Sequence, residues 1–429
     1  MPSTFSLPRR TRFITVLVAS GVLLAGLAAA GAAEKPVLKK GDRLAIAGDS
    51  ITEQKMYSRY MEDYLTMCTP QLDIGCIQLG WGGERATGFL GRMNQDLLPF
   101  KPTVVTTCYG MNDGSYRAYD DGIGKTYGDA MREIVERLKK AGATVVIGSP
   151  GAVDTNAWKG PADVYNQNLG RLKEIDRQLA ADQGMPFANV HDPLIEVMKK
   201  AKAAYGPAFH VCGGDGIHPA ADGQLVMAYA FLKVLVPGGD IGTFTVDMAG
   251  DATATDGHKV LSAKGGTVQI ESARYPFCFT GDAKSPDSAK SILPYLPFNE
   301  DLNRLTLVVK NLKGDKAKVA WGGASKTFTR EQLAAGINLA AEFLDNPFSE
   351  PFRKVDEAVA KKQGYETFLI KESGRALAGV ERNLGDDAEV AAAVKTIKGR
   401  LLTKHDALAA AVRAAFVPVK HTIAVAEEK

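Results

Sequence analysis

Arg43-Leu-Ala-Ile-Ala-Gly-Asp-Ser-Ile-Thr52 changes character halfway along. Its first half is a short apolar run with the length of a buried strand, and helical spacing takes over after Thr52. Ser50 therefore falls where a strand turns into a helix. A hydroxyl there projects from the carboxyl edge of a sheet, beside the free N–H groups of a helix start, which favour developing negative charge. Such a residue suits nucleophilic chemistry, although an ordinary turn capped by Asp49 or Ser50 would read the same way.

Outward from this stretch the strand-then-helix alternation repeats. Tyr57, Tyr60, Met61, Tyr64, Leu65 and Cys68 recur at helical spacing, so these tyrosines read as core. Strands follow at Ile74 to Leu79, Thr103 to Cys108, Thr144 to Ile147 and Phe187 to Val190. Helices lie between them, with Met131, Ile134, Val135 and Leu138 on one face of the first and Leu169, Leu172, Ile175 and Leu179 on one face of the next. Five strands alternating with helices predict a parallel sheet covered on both faces, with its ligand site at the carboxyl ends of the strands. Three polar segments arrive at that edge: Gly80-Trp-Gly-Gly-Glu-Arg85, Tyr109-Gly-Met-Asn-Asp-Gly114 and Val211-Cys-Gly-Gly-Asp-Gly-Ile-His-Pro219.

Beyond Pro237-Gly-Gly239 short β-rich runs predict a small antiparallel unit over 238–330, and 331–429 reads as helical and charged. The first 33 residues carry Arg9, Arg10 and Arg12, then an apolar run to Ala30 and small residues, the pattern of a secretory signal cleaved near Ala32 or Ala33. An exported protein, periplasmic or extracellular, is expected; a retained anchor is the alternative. Without the leader the formal charge of +3 falls to zero, so neither nucleic acid nor an anionic membrane is an expected partner. The five cysteines match no zinc or redox spacing, and an odd count leaves at least one thiol unpaired; Cys68 and Cys76 are near enough to be bridged, but Cys68 fits the apolar face of a helix and reads rather as a buried thiol.

Hydrolysis through a serine needs a base, an acid that orients the base, and donors for the oxyanion. His218 follows Asp215 by three residues in a loop at the active edge, so one turn can present both; His191, at the end of the fifth strand and followed by Asp192, competes as base. The N–H of Ser50, an N–H from the Gly80 to Gly83 loop and the side-chain amide of Asn112 are candidate oxyanion donors. Trp81, Tyr109, Tyr116 and Arg117 are candidates to line a sugar-binding groove. No Gly-x-Ser-x-Gly elbow, His-Glu-x-x-His or phosphate-loop pattern occurs, and neither metal nor cofactor is expected.

Gly48-Asp-Ser-Ile-Thr52, the loop ending at Gly83, Gly110-Met-Asn-Asp113 and Asp215-Gly-Ile-His-Pro219 resemble the four blocks of the SGNH, or GDSL, hydrolase family, in the family's order. The resemblance covers roughly 38–237 and implies a flavodoxin-like α/β/α sandwich and ester hydrolysis through an acyl-enzyme. It assigns Ser50 as nucleophile, His218 as base, Asp215 as its partner, and Ser50, Gly83 and Asn112 as oxyanion donors. Gln78 stands where many members have Asn, which leaves Gly82 as an alternative to Gly83. The expected substrate is an O-acetyl or other short acyl ester of a carbohydrate. Hydrolysis of lipid or aryl esters and a non-catalytic carbohydrate-binding role are the rivals.

Overall fold

The computed structural model describes residues 35–285 and 287–428; the expected leader over 1–33 lies outside the described residues. Five strands, β1 (Arg43–Gly48), β2 (Gly75–Gln78), β3 (Val104–Cys108), β4 (Thr144–Gly148) and β5 (Phe187–Ala188), form a parallel sheet in the order β2-β1-β3-β4-β5. Side chains alternate across each strand, and both faces of this sheet are dry. In β1, Leu44 and Ile46 enter one core, whereas Ala45 and Ala47 enter the other.

Seven helices belong to this part: α1 (Ser50–Glu53), α2 (Tyr57–Asp63), α3 (Ala86–Asp96), α4 (Asp121–Lys140), α5 (Ala162–Gln183), α6 (His191–Tyr205) and α7 (Ala221–Leu235). Two of them show why the apolar spacing settles their faces. In α4 the residues Met131, Ile134, Val135 and Leu138 are all buried, and α7 is buried along most of its length against the other side of the sheet.

The β-rich part departs from the antiparallel expectation. Strands β6 (Asp240–Asp247), β7 (Ala252–Ala254), β8 (His258–Lys264), β9 (Thr267–Ser272), β10 (Arg304–Lys310), β11 (Lys316–Trp321), β12 (Ala324–Thr329), β13 (Ile337–Asn338) and β14 (Val419–Glu428) make two sheets, β13-β10-β6-β7 and β12-β11-β14-β9-β8. The pair β6 and β10 is parallel, since the chain between them crosses over through a 3₁₀ turn and the short helix α8 (Phe298–Leu302) instead of a tight hairpin. The helices α9 (Arg330–Ala335), α10 (Leu339–Glu342), α11 (Ser349–Thr367), α12 (Arg375–Leu384) and α13 (Ala388–Ala415) match the helical expectation for 331–429 as far as Ala415. After them Val419–Glu428 alternates buried and exposed residues and inserts as the middle strand of the second sheet.

The described residues fall in one compact unit. One apolar core runs from Leu44 and Ile46 through Tyr57, Tyr64 and Phe231 to Phe277, Phe298, Trp321 and Ile423. Tyr64 donates its hydroxyl to the Leu302 carbonyl at 2.7 Å, and the Tyr275 N–H reaches the Met67 carbonyl at 2.9 Å.

Helix α11 lies along β2, which is an edge strand. The exposed backbone groups of such an edge need partners once they are buried. Lys362 Nζ donates to the Cys76 carbonyl at 3.0 Å, and the Gln78 N–H donates to Glu366 at 2.9 Å. Lys362 in turn pairs with Glu366 at 2.5 Å and Glu62 at 3.0 Å, and His405 reaches Glu366 at 2.8 Å. All five cysteines are buried free thiols; Cys68 is one as expected, and no Cys68–Cys76 bridge forms. Among the described residues no helix is long and apolar enough to cross a membrane.

Candidate active site

Asp49 caps α1, its carboxylate accepting the Ile51 N–H at 3.0 Å, so Ser50 is the first helical residue. An N–H at that position has no acceptor within the helix. The hydroxyl of Ser50 lies 2.8 Å from His218 Nε2, and His218 Nδ1 lies 2.7 Å from Asp215 Oδ2. The other Asp215 oxygen accepts the N–H groups of Ile217 and His218, each at 2.9 Å. Partial burial works to raise the Asp215 pKa, but these hydrogen bonds outweigh it and hold the carboxyl below its ordinary range. Serine, histidine and aspartate thus stand in series, with the imidazole oriented through Nδ1.

The loop after β2 is shaped by glycines at two places where nothing else fits. A Cβ on Gly80 would lie 2.2 Å from the Glu53 nitrogen, so this residue lets the loop pass against α1. Gly83 has φ +71° and is exposed, within a turn closed by the Glu84 N–H on the Trp81 carbonyl at 3.2 Å. Gln78 is buried, accepts the Gly80 N–H at 3.1 Å and donates to the Thr52 carbonyl at 2.8 Å, tying this loop to the serine helix.

Asn112 arrives from the end of β3. Its amide donates to the Glu84 carbonyl at 3.0 Å, and its carbonyl accepts the Tyr116 hydroxyl at 3.0 Å. Glu84 is itself fixed by Arg92 at 2.6 Å and by the Tyr109 hydroxyl at 2.9 Å. Asp113 accepts the Ala86 and Gly110 N–H groups, each at 3.0 Å, so the Gly83 and Asn112 segments are bolted together. Burial pushes Asp113 up to about 6 and Asp49 up to about 7, the latter helped by the nearby Asp113 and Glu84 charges.

The structure therefore brings Ser50, Asp215 and His218 into contact and joins the Gly83 loop to Asn112. His191 is elsewhere: its ring nitrogens meet Asp192 at 2.9 Å and the Asn166 carbonyl at 3.2 Å, so both are occupied structurally. One groove candidate is corrected: Tyr109 is fully buried against Phe89. Arg117 is exposed and pairs with Asp120. Trp158 escaped the sequence reading because its loop carries no motif. It packs on Tyr116 and Tyr165, and its backbone lies so close to Gly216 that a Cβ there would come within 2.3 Å.

A serine, imidazole and carboxylate in series at the carboxyl edge of a parallel sheet is the arrangement of a serine hydrolase. Residues 46–226 match the model of the GDSL-like lipase/acylhydrolase family. This segment is similar to the GDSL-like acylhydrolases along its length, and the match supports carboxylic ester hydrolysis. It is 23% identical over 215 residues to an acetylxylan esterase of Geobacillus stearothermophilus, covering 45% of this chain and 93% of that one. The solved structure of a gut microbial diltiazem-metabolizing enzyme aligns with 93% of this chain and all of its own, at TM-score 0.72 and 22% identity, and so shares the fold into the C-terminal part. The acetylxylan esterase structure from G. stearothermophilus aligns with 46% of this chain and 96% of its own, at 21% identity and TM-score 0.39.

Proposed function

We propose that this ester hydrolase removes acetyl or other short acyl groups from carbohydrate outside the cytoplasm, with Ser50 as nucleophile. The observation that carries the chemistry is the 2.8 Å contact between Ser50 Oγ and His218 Nε2, backed by Asp215. Ser50 Oγ attacks the ester carbonyl as His218 takes its proton, and Asp215 stabilises the imidazolium. The oxyanion is held by the N–H groups of Ser50 and Gly83 and by the uncommitted amide proton of Asn112. His218 then protonates the leaving alcohol, and water, activated by the same imidazole, releases the acid. The carbohydrate assignment is supported by the resemblance to an acetylxylan esterase along nearly all of that protein's length, by the secretory pattern of the first 33 residues, and by the half-buried Tyr116 and Trp158 beside the His218 loop.

Fluorophosphonate labelling and acid release from acetylated xylan, aryl acetates and lysophospholipid test this reading. Wild type should label and deacetylate xylan, and Ser50→Ala should lose labelling and at least about a thousandfold in rate. Labelling that persists in Ser50→Ala would move the nucleophile elsewhere, and a preference for lysophospholipid would replace the substrate class.

A further inference from the structure

Trp81 precedes the two exposed glycines of the oxyanion loop and is surrounded by cations from two parts of the chain. Arg92 Cζ is 5.0 Å from its ring centroid, Lys371 Nζ 5.2 Å and Arg375 Cζ 5.3 Å. Arg92 is consumed by Glu84 and Asp96. Lys371 pairs with Glu53 at 2.5 Å, and Glu53 is the last residue of the four-residue helix that begins at Ser50. Glu53 lies about one helical turn from the serine, and Lys371 lies beyond it at the end of the Glu53 side chain. The missing side chain of Gly82 leaves this pair close to the loop: a Cβ there would meet Glu53 at 2.7 Å and Lys371 Nζ at 3.9 Å.

The charges here do not balance. Lys55 donates to the Glu53 backbone carbonyl and to Thr367, Arg85 donates to Ser115, and Arg375 is exposed over the indole. None of these three forms an ion pair among the described residues, although Glu53 acts on Lys55 and Arg85 on Asp113 through space, and Lys371 pairs with Glu53. Burial pulls the Lys55 ammonium down, Glu53 opposes that pull, and Lys371 adds a smaller effect in the direction of burial. Lys371 also stands in a π-helical segment, Phe368–Gly374, interposed between α11 and α12. Such widened turns cost hydrogen-bond quality and recur at functional sites.

We propose that Lys371 and Arg375, held by Trp81 on the oxyanion side of Ser50, form a subsite for a carboxylate carried by the ester substrate. A guanidinium drawn to the face of an indole spends no hydrogen bond on it, so its N–H fork stays available to match the two oxygens of a carboxylate. On a carbohydrate ester the carboxylate belongs to a uronic acid; the same chemistry is met by a dicarboxylic acyl group. The inference rests on the ester-hydrolase reading above and assigns the C-terminal helices a part in substrate selection.

The test compares kcat/KM for acetylated neutral xylo-oligosaccharides with acetylated galacturonate oligosaccharides, and for nitrophenyl acetate with nitrophenyl hemisuccinate. Wild type should favour the carboxylated member of one pair, which also locates the charge on the alcohol or the acyl side, and the preference should shrink with added salt. Arg375→Met leaves the Glu53–Lys371 pair intact and should lower the carboxylated-to-neutral ratio about fivefold, through KM; Arg375→Glu should lower it further. A ratio unchanged by both variants, or an equal fall in kcat on both substrates of a pair, would overturn the subsite and leave these residues as a clamp on the loop. Fluorophosphonate labelling of Ser50 in the same preparations separates the two failures. Retained labelling leaves the hydrolase reading standing, and absent labelling overturns both.

Discussion

Asn112 offers one carbonyl and two amide protons. The carbonyl is engaged by Tyr116 and one proton by the Glu84 carbonyl, so a single N–H remains for a further acceptor. Ser115 and Tyr116 adopt φ +57° and +55°, a left-handed pair that costs about 1 kcal/mol or more per residue and turns the phenol back onto Asn112. Tyr116→Phe should reduce kcat about three- to tenfold with little change in KM, the value of one neutral hydrogen bond. Asn112→Ala should cost about a hundredfold, and in steady-state kinetics the double variant should be no slower than Asn112→Ala. Asp49 carries the pH signature. Its pKa is raised from the usual value to about 7, chiefly by burial, so the fold binds its proton more tightly than the unfolded chain does. The associated stability is complete below about pH 4 and is lost as pH rises through about 7. Asp49→Asn, which keeps the Ile51 acceptor, should therefore raise the melting temperature more at pH 8.5 than at pH 5.5; an equal shift at both would place the titration elsewhere.

Helix α11 acts on β2 through charge. Lys362 is 2% exposed and its partners Glu62 and Glu366 are 4% and 0% exposed, so all three ions depend on one another. Burial pushes the Glu62 pKa up and Lys362 opposes that push. Lys362→Met would strand two carboxylates and free the Cys76 carbonyl, and should cost about 3–5 kcal/mol in denaturant unfolding. Adding Glu62→Gln and Glu366→Gln should recover part of it; no recovery would mean that the loss comes from packing along the Lys362 stem.

For the whole molecule, the changes of element type near 237 and 330 do not interrupt the core, which passes from the parallel sheet through Phe277 and Phe298 to Trp321 and Ile423. Strand β14 closes the second sheet from the far end of the chain, pairing with β9 and β11. Calorimetry on the protein should show one unfolding transition, and a chain ended at Phe416 should fail to reach that state. Two resolved transitions, or a stable and active truncation, would show that the parts fold independently.

The sequence by itself determined the parallel sheet and the edge where Ser50, Gly83, Asn112, Asp215 and His218 gather, because each strand is a local apolar run that ends in a polar segment and parallel packing sends those ends to one side. It was silent on Trp158, on the parallel pairing of β6 with β10, on the insertion of β14, and on what covers β2. The tertiary structure alone decided these. Gln78 and Glu366 are 288 positions apart, and a hydrogen bond over such a distance leaves no periodicity in the chain. The same holds for Lys371 and Arg375, which read as ordinary charges on a helix until the fold sets them over Trp81.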